Sequence, residues 1–188
     1  GDAPCVNDTA KVTITLERKP QAGISTAPQL CASGQQVPLL GLLGGNPDNN
    51  GSWVFQPTIG APVSHGPVFD PATDLPGAYV YTVAGSAACS SSSATVQVAL
   101  VQPPHAGTYG SLSACISETA VNLFAGLNGS PQTGGSWTDV DATGQLSNGV
   151  FNAAGVAPGT YHFRYTKAGV GPCPNDTASV SVTVTPEL

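Results

Sequence analysis

Five cysteines, Cys5, Cys31, Cys89, Cys115 and Cys173, are the side chains of this 188-residue chain best suited to covalent chemistry. Cys31 and Cys115 lie 84 residues apart, and so do the successive members of the series Cys5, Cys89, Cys173. Thiolates at recurring positions either bind a metal or pair as disulfides. Metal binding needs clustered thiol and imidazole ligands, and the sequence has no Cys-x-x-Cys and no histidine beside a cysteine. Disulfide formation is the better reading. The chain lacks methionine, carries a net charge of −6 and is rich in small polar residues, the character of an exported protein, where disulfides persist.

The other candidates for chemistry are weaker. His65, His105 and His162 are dispersed and none has a counterpart 84 residues away, so surface or turn positions are expected. No Gly-x-Ser-x-Gly nucleophile elbow occurs. Asp139 with Asp141, or Asp48 with Asn49 and Asn50, offer oxygens of the kind Ca²⁺ takes, but neither set recurs in full and neither fits an EF-hand, so polar loops are expected. Trp53 and Trp137 suit either a sugar-stacking platform or a core, and their identical placement favours core. No enzyme, cofactor or metal is expected. Five Lys plus Arg form no basic stripe to neutralise phosphates, which argues against nucleic-acid binding. No apolar run approaches the ~18 residues of a membrane helix, and Val37–Leu43 is broken by Pro38 and Gly41, so membrane insertion is not expected. The absence of a leader pattern suggests that one was removed or that the chain is an internal piece.

The elements that position these residues follow the same 84-residue spacing, which also carries Gly51-Ser52-Trp53 onto Gly135-Ser136-Trp137. This predicts two units, 21–104 and 105–188, preceded by a last strand of an earlier unit in 1–20. Lys11–Glu17 alternates apolar and polar with β-branched residues, a strand pattern. The simplest account is a piece of a longer array, and the second is a strand donated to a neighbour. Within 21–104 the pattern predicts strand A over Ile24–Leu30, interrupted by Pro28 and so at an edge. Strand B carries Val37, Leu39 and Gly41 on one face, and strand C is Ser52–Phe55. One or two short strands lie around Ile59–Val63 and Pro67–Phe69, then strand F at Gly77–Val83 and strand G at Ser93–Val101. In 105–188, Val121 and Leu123 replace Val37 and Leu39, and Tyr161 matches Tyr79 through Pro-Gly-x-Tyr, 82 residues away. The fold class is all-β, tandem immunoglobulin-like sandwiches set end to end, with Trp53, Trp137, Tyr79 and Tyr161 in the cores.

Two disulfide pairings are open. Pairing within units joins Cys31 to Cys89 and Cys115 to Cys173. In such a sandwich, however, the A–B and F–G turns lie at opposite poles, farther apart than the roughly 5.5–6 Å Cα separation of a disulfide. End-to-end stacking slightly favours a staggered bond, Cys31 to Cys173, leaving Cys5, Cys89 and Cys115 unpaired or bonded outside the chain.

Ala-Gly at the unit start, Cys before strand B, Gly-Ser-Trp, Val-Phe, Pro-Gly-x-Tyr, Cys in the F–G turn and a Val/Thr-alternating last strand together resemble the immunoglobulin-like repeats of giant Bacteroidota cell-surface adhesins. These include gliding-motility-associated proteins exported by the type IX system. The resemblance implies an extracellular stalk or filament segment on a bacterial surface. Its partners would be neighbouring repeats of the same filament, with glycans or a surface met at a distant tip. It also implies O-glycosylation at Thr9 and Thr177, in Asp8-Thr9-Ala10 and Asp176-Thr177-Ala178, a pattern from which Ser92-Ser93-Ala94 departs. The alternatives are a glycan- or protein-binding module, which predicts aromatic-rich loops at one pole, and a strand-donating filament subunit.

Overall fold

The computed structural model describes residues 9–187, in which the regular structure is β-strand and short 3-10 turns, with no α-helix. The first half holds β1 (Gln29–Cys31), β2 (Val37–Pro38), β3 (Ser52–Gln56), β4 (Val63–His65), β5 (Val68–Phe69), β6 (Gly77–Val83) and β7 (Ser92–Val101). The second holds β8 (Gly110–Cys115), β9 (Val121–Asn122), β10 (Ser136–Asp139), β11 (Leu146–Ser147), β12 (Val150–Phe151), β13 (Gly159–Lys167) and β14 (Asp176–Thr185). In each half a larger sheet faces a smaller one. The sheet β1-β7-β6-β3-β4 opposes β2-β5, and β10-β13-β14-β8 opposes β11-β12-β9. β1 runs parallel to β7 and β8 parallel to β14, while the pairs between consecutive strands are antiparallel. This is an immunoglobulin-like sandwich made twice.

Strict alternation builds the long strands. Along β6, Tyr79, Tyr81 and Val83 turn inward and are almost fully buried. Along β7, Ala94, Val96 and Val98 do the same, and along β14 Ala178, Val180, Val182 and Val184. The inward residues form two separate cores, one from Ala22 to Val98 and one from Ala106 to Val184. Phe69, Phe151 and Phe163 are fully enclosed, each worth about 1.5–3 kcal/mol of burial.

The structure departs from the sequence pattern in four places. Residues 9–20 form no strand, and Val12, Ile14 and Leu16 are 81%, 79% and 91% exposed. An alternating strand needs a sheet edge to pair with, and these residues find none; the segment is held instead at its polar end, by Arg18 on Asp48 and Glu17 on Ser86. Strand A shrinks to three residues, since Pro28 lacks the N–H that the ladder needs. Ahead of it, Ile24 exchanges both backbone hydrogen bonds with Gly44 at 2.8 and 2.9 Å while Thr26 already pairs with Val96, so the strand changes sheets between Ile24 and Thr26. Where Leu112 stands 84 residues on, β8 runs for six residues. Strand B is only β2, after which Leu39–Leu42 wind into a 3-10 turn that buries Leu39 and exposes Gly41. Finally, the strand expected around Ile59–Val63 lies further on, at Val63–His65, with Ile59 92% exposed.

Candidate functional site: the joint between the sandwiches

Two of the cysteines singled out in the sequence meet at one place, where the A–B turn of the first sandwich meets the F–G turn of the second. Cys31 ends β1, in parallel register with Val101 at the end of β7. The turn after it is closed by Gly34 N–H on the Cys31 carbonyl, 2.8 Å, and by Ala32 N–H on the Val101 carbonyl, 2.9 Å. Cys173 comes from the loop between β13 and β14, and its sulfur lies 3.3 Å from the carbonyl oxygen of Val101. Cys31 and Cys173 are bonded, with Cα atoms 4.9 Å apart and 142 residues between them in sequence. Both are about 6% exposed. The within-unit pairs Cys31–Cys89 and Cys115–Cys173 are not formed, because each sandwich holds its two turns at opposite ends and its neighbour brings the nearer thiol. Cys89 and Cys115 are free among the described residues; Cys5 lies outside them.

Each sandwich is closed at its other key positions by tyrosines. Tyr81 donates to the Asp48 carbonyl at 2.5 Å and accepts from Gly51 N–H at 2.8 Å. Tyr165 does the same with Gln132, 2.7 Å, and Gly135, 2.7 Å. This accounts for the glycine of Gly-Ser-Trp: a Cβ on Gly51 or Gly135 would sit 2.5 Å from the tyrosine ring. Trp53 and Trp137 stack on the same tyrosines, with ring centroids 4.8 and 5.0 Å apart. Tyr79 and Tyr161 each donate back four residues, to Leu75 at 2.6 Å and Ala157 at 2.8 Å, a tyrosine corner. Burial, and then the Asp74 carboxylate, push the Tyr79 phenol up to about 12.

The two tyrosine corners are not in register, a refinement of the Pro-Gly-x-Tyr match. Tyr79 pairs across the sheet with Val96 and Phe55, and it is Phe163 that pairs with Val180 and Asp139. Tyr161 lies one inward step further out, opposite Val182, in the place that Gly77 takes opposite Val98. Tyr161 is therefore half-buried rather than enclosed, as is Trp137. Trp53 has β4 on its open side, with His65 opposite it, whereas β10 is a sheet edge among the described residues. The exposed flank of Trp137 opens into a cleft of about 650 Å³ shared with Phe124, Tyr165, Leu146 and Asn148.

The remaining polar candidates are occupied within the fold. The Asp48 carboxylate accepts from Gln21 N–H at 2.9 Å and meets Arg18; chiefly the backbone bond, then the Arg18 guanidinium, hold it below the usual carboxylate range. Asp141 accepts from the backbone N–H of His162 at 2.7 Å and from its ring, and is lowered likewise, first by the backbone bond. Asp139 takes Thr143 and Gly144 on one oxygen, while its other oxygen is buried without a partner among the described residues. His65 and His105 stand beside Asp74, 3.3 Å, and Asp176, 3.7 Å, far from one another in the fold. No group of three metal-ligating side chains occurs among the described residues. No helix there is long and apolar enough to cross a membrane. Thr9 and Thr177 are both exposed.

No protein-family model matches the sequence, and no curated protein does. Among solved structures the chain is similar to the titin I-band fragment I67–I69, at 13% identity and TM-score 0.43, covering 90% of this chain and 64% of that one. It is similar to Sidekick-1 immunoglobulin domains 1–5, at 13% identity and TM-score 0.38, covering 86% and 38%. It is also similar to human mucin-like protocadherin EC1-2, at 10% identity and TM-score 0.32, covering 87% and 97%.

Proposed function

We propose that the chain is a structural stalk or filament segment of a secreted, multi-repeat cell-surface adhesin, built of units 21–104 and 105–188 with 1–20 belonging to a preceding unit. The observation that carries this reading is the bond from Cys31 to Cys173, which crosses the joint instead of bracing one sandwich. Such a bond adds nothing to a ligand site and restrains one unit against the next, the property a rod needs. In a stacked array stability is a sum of unit and interface terms, and a covalent staple strengthens the interface term. A disulfide also fits an oxidising compartment outside the cytosol. The resemblance to Bacteroidota adhesin repeats extends the proposal to a bacterial surface, type IX export and a role in gliding motility. O-glycans at Thr9 and Thr177 belong to it too, and their exposure leaves room for a sugar. Electron microscopy of native material tests the proposal. A continuous rod with a repeat of one sandwich length is expected; isolated globular particles would overturn it, and intact mass without added hexose would remove the glycans.

A second reading has one observation in its favour. The Trp137 cleft presents an aromatic face with Asn148 and Ser136 at its rim, the chemistry of a sugar-binding module. Titration of Trp137 fluorescence with glycans distinguishes it, since a pure stalk gives no saturable change. Strand donation rests on the exposed Val12, Ile14 and Leu16 alone.

A further inference from the structure

The joint between the two sandwiches has two further, half-complete copies in the same chain. The first is at the far turn of the second sandwich. Glu118 N–H bonds to the Cys115 carbonyl at 3.0 Å and Ile116 N–H to the Thr185 carbonyl at 2.9 Å, as Gly34 and Ala32 do around Cys31 and Val101. Cys115 is in parallel register with Thr185 as Cys31 is with Val101. The difference is that Cys31 is covered by the next sandwich and Cys115 is exposed.

The second copy is at the F–G turn of the first sandwich. Gly85 and Gly169 each pack so tightly under a cysteine carbonyl, of Cys89 and Cys173 respectively, that a Cβ on either would collide with it. The two turns thus share a glycine packed beneath the cysteine. Cys173 points its sulfur at the carbonyl of Val101, and Cys89 points its own at the carbonyl of Glu17, 3.9 Å away. Each of these pairs spans 72 residues. Residue 17 thus stands toward the first sandwich as residue 101 stands toward the second. The first sandwich already has the segment around Glu17 seated on its F–G turn; the A–B cysteine of a preceding unit would complete that joint.

We infer that the Cys115 turn is a docking surface for the F–G turn of a further copy of this sandwich, joined to it by a disulfide, and that Cys89 is the complementary half for a preceding copy. The inference rests on the stalk reading and extends it from one joint to every joint. Closing the bond takes two electrons from the two thiols. A low-molecular-weight disulfide such as oxidised glutathione accepts them: the Cys115 thiolate attacks it and expels one thiol, and the second cysteine's thiolate then attacks the Cys115 sulfur and expels the other. The two protons end on the released thiols. Cys115 is the free side of the pair and its exposure gives the oxidant access.

The test uses the full chain carrying one more copy of residues 105–188 after Leu188, beside the unextended chain. Both are equilibrated with oxidised and reduced glutathione, alkylated and mapped without reduction. In the unextended chain Cys115 is expected to alkylate. In the extended chain its alkylation is lost, and a peptide linking Cys115 to the added unit's F–G cysteine appears beside the Cys31–Cys173 peptide. In a Cys115→Ser version the added F–G cysteine becomes alkylated again while Cys31–Cys173 stays. Cys115 free, or bonded to any other cysteine, with Cys31–Cys173 intact overturns this inference and leaves the stacking reading standing. Loss of Cys31–Cys173 itself in both chains overturns both.

Discussion

Replacing Cys31 and Cys173 together by serine removes the staple without leaving an odd thiol, and its cost is set by the geometry of the joint. While the first sandwich remains folded, β1 keeps Cys31 beside Val101, so the chain that the bond closes when the second sandwich unfolds runs from Val101 to Cys173, 72 residues. Loop-closure entropy then gives about 4 kcal/mol of stabilisation to the second sandwich. If both sandwiches unfold, the loop is the full 142 residues and the figure rises only to about 5 kcal/mol, because the dependence is logarithmic. Guanidinium unfolding of the oxidised chain and of the double variant measures this, with Trp53→Phe in both so that Trp137 reports the second sandwich. The expected result is a midpoint shift for the Trp137 transition equivalent to several kcal/mol, with the folded spectrum unchanged. A loss within the ~0.5 kcal/mol of an ordinary surface substitution would show that the bond does not restrain the unfolded chain.

Other perturbations probe the sandwiches singly. Gly51→Ala and Gly135→Ala drive a methyl into the Tyr81 or Tyr165 ring and should each lower stability by roughly 1–3 kcal/mol in thermal melts; an unchanged melt would refute the packing account. Tyr79→Phe leaves the Leu75 carbonyl without its donor and should cost about 1 kcal/mol, more than Tyr161→Phe, whose ring is half exposed. Because the Tyr79 phenol titrates at about 12 when folded and near 10 when unfolded, its contribution is complete below pH 10 and is lost as pH rises toward 12. Alkaline unfolding should therefore be shallower in Tyr79→Phe. Asp48 has the opposite sign: its folded pKa is depressed, so its contribution is present above the unfolded value of 3.8 and lost as pH falls through the folded one. Asp48→Asn should flatten the acid limb of the stability curve; an identical limb would show that the Gln21 and Arg18 contacts do not form in solution. Acrylamide should quench Trp137 well before Trp53, which is 5% exposed, and equal quenching would place a strand over β10.

The sequence carried the fold where alternation was long. β6 and β7 run almost as the pattern of Tyr79, Tyr81 and Val83 and of Ala94, Val96 and Val98 requires, since period-two burial against a facing sheet admits one register. It carried less where a single backbone group decides the outcome. Pro28 removes a donor and breaks the ladder between Thr26 and Gln29, whereas the change of sheet before it and the 3-10 turn after β2 recur in the second sandwich, where Leu112 and Asn122 stand in place of the prolines, and depend on which carbonyl lies within reach. Burial of Trp137 was not legible because it depends on whether a neighbouring strand covers β10, a fact about the loop over 140–149 and not about the tryptophan. The opening segment shows the limit of pattern: Val12, Ile14 and Leu16 alternate as a strand should, yet they pair with no edge among the described residues. The staple itself was half legible. Spacing showed two classes of cysteine, while the choice between partners needed the polarity of the sandwich.

That polarity explains why the bond is staggered. A disulfide between the A–B and F–G cysteines of one sandwich would have to join its two ends, so the short connection available to Cys31 is to the unit stacked against it. The consequence is mechanical. Of the 188 residues, the stretch between Cys31 and Cys173, separated by 142 positions, lies inside a closed covalent loop. Tension applied to the ends of the chain passes through the bond and bypasses that stretch, which withholds about 500 Å of contour even if the strands within it come apart. The staple sits beside Val101, where the linker leaves the first sandwich, so it also fixes the F–G turn of the second sandwich against the last strand of the first. One bond thus limits both extension and rotation at the joint, and a row of such joints would behave as a rod whose length is set by the folded units rather than by the chain.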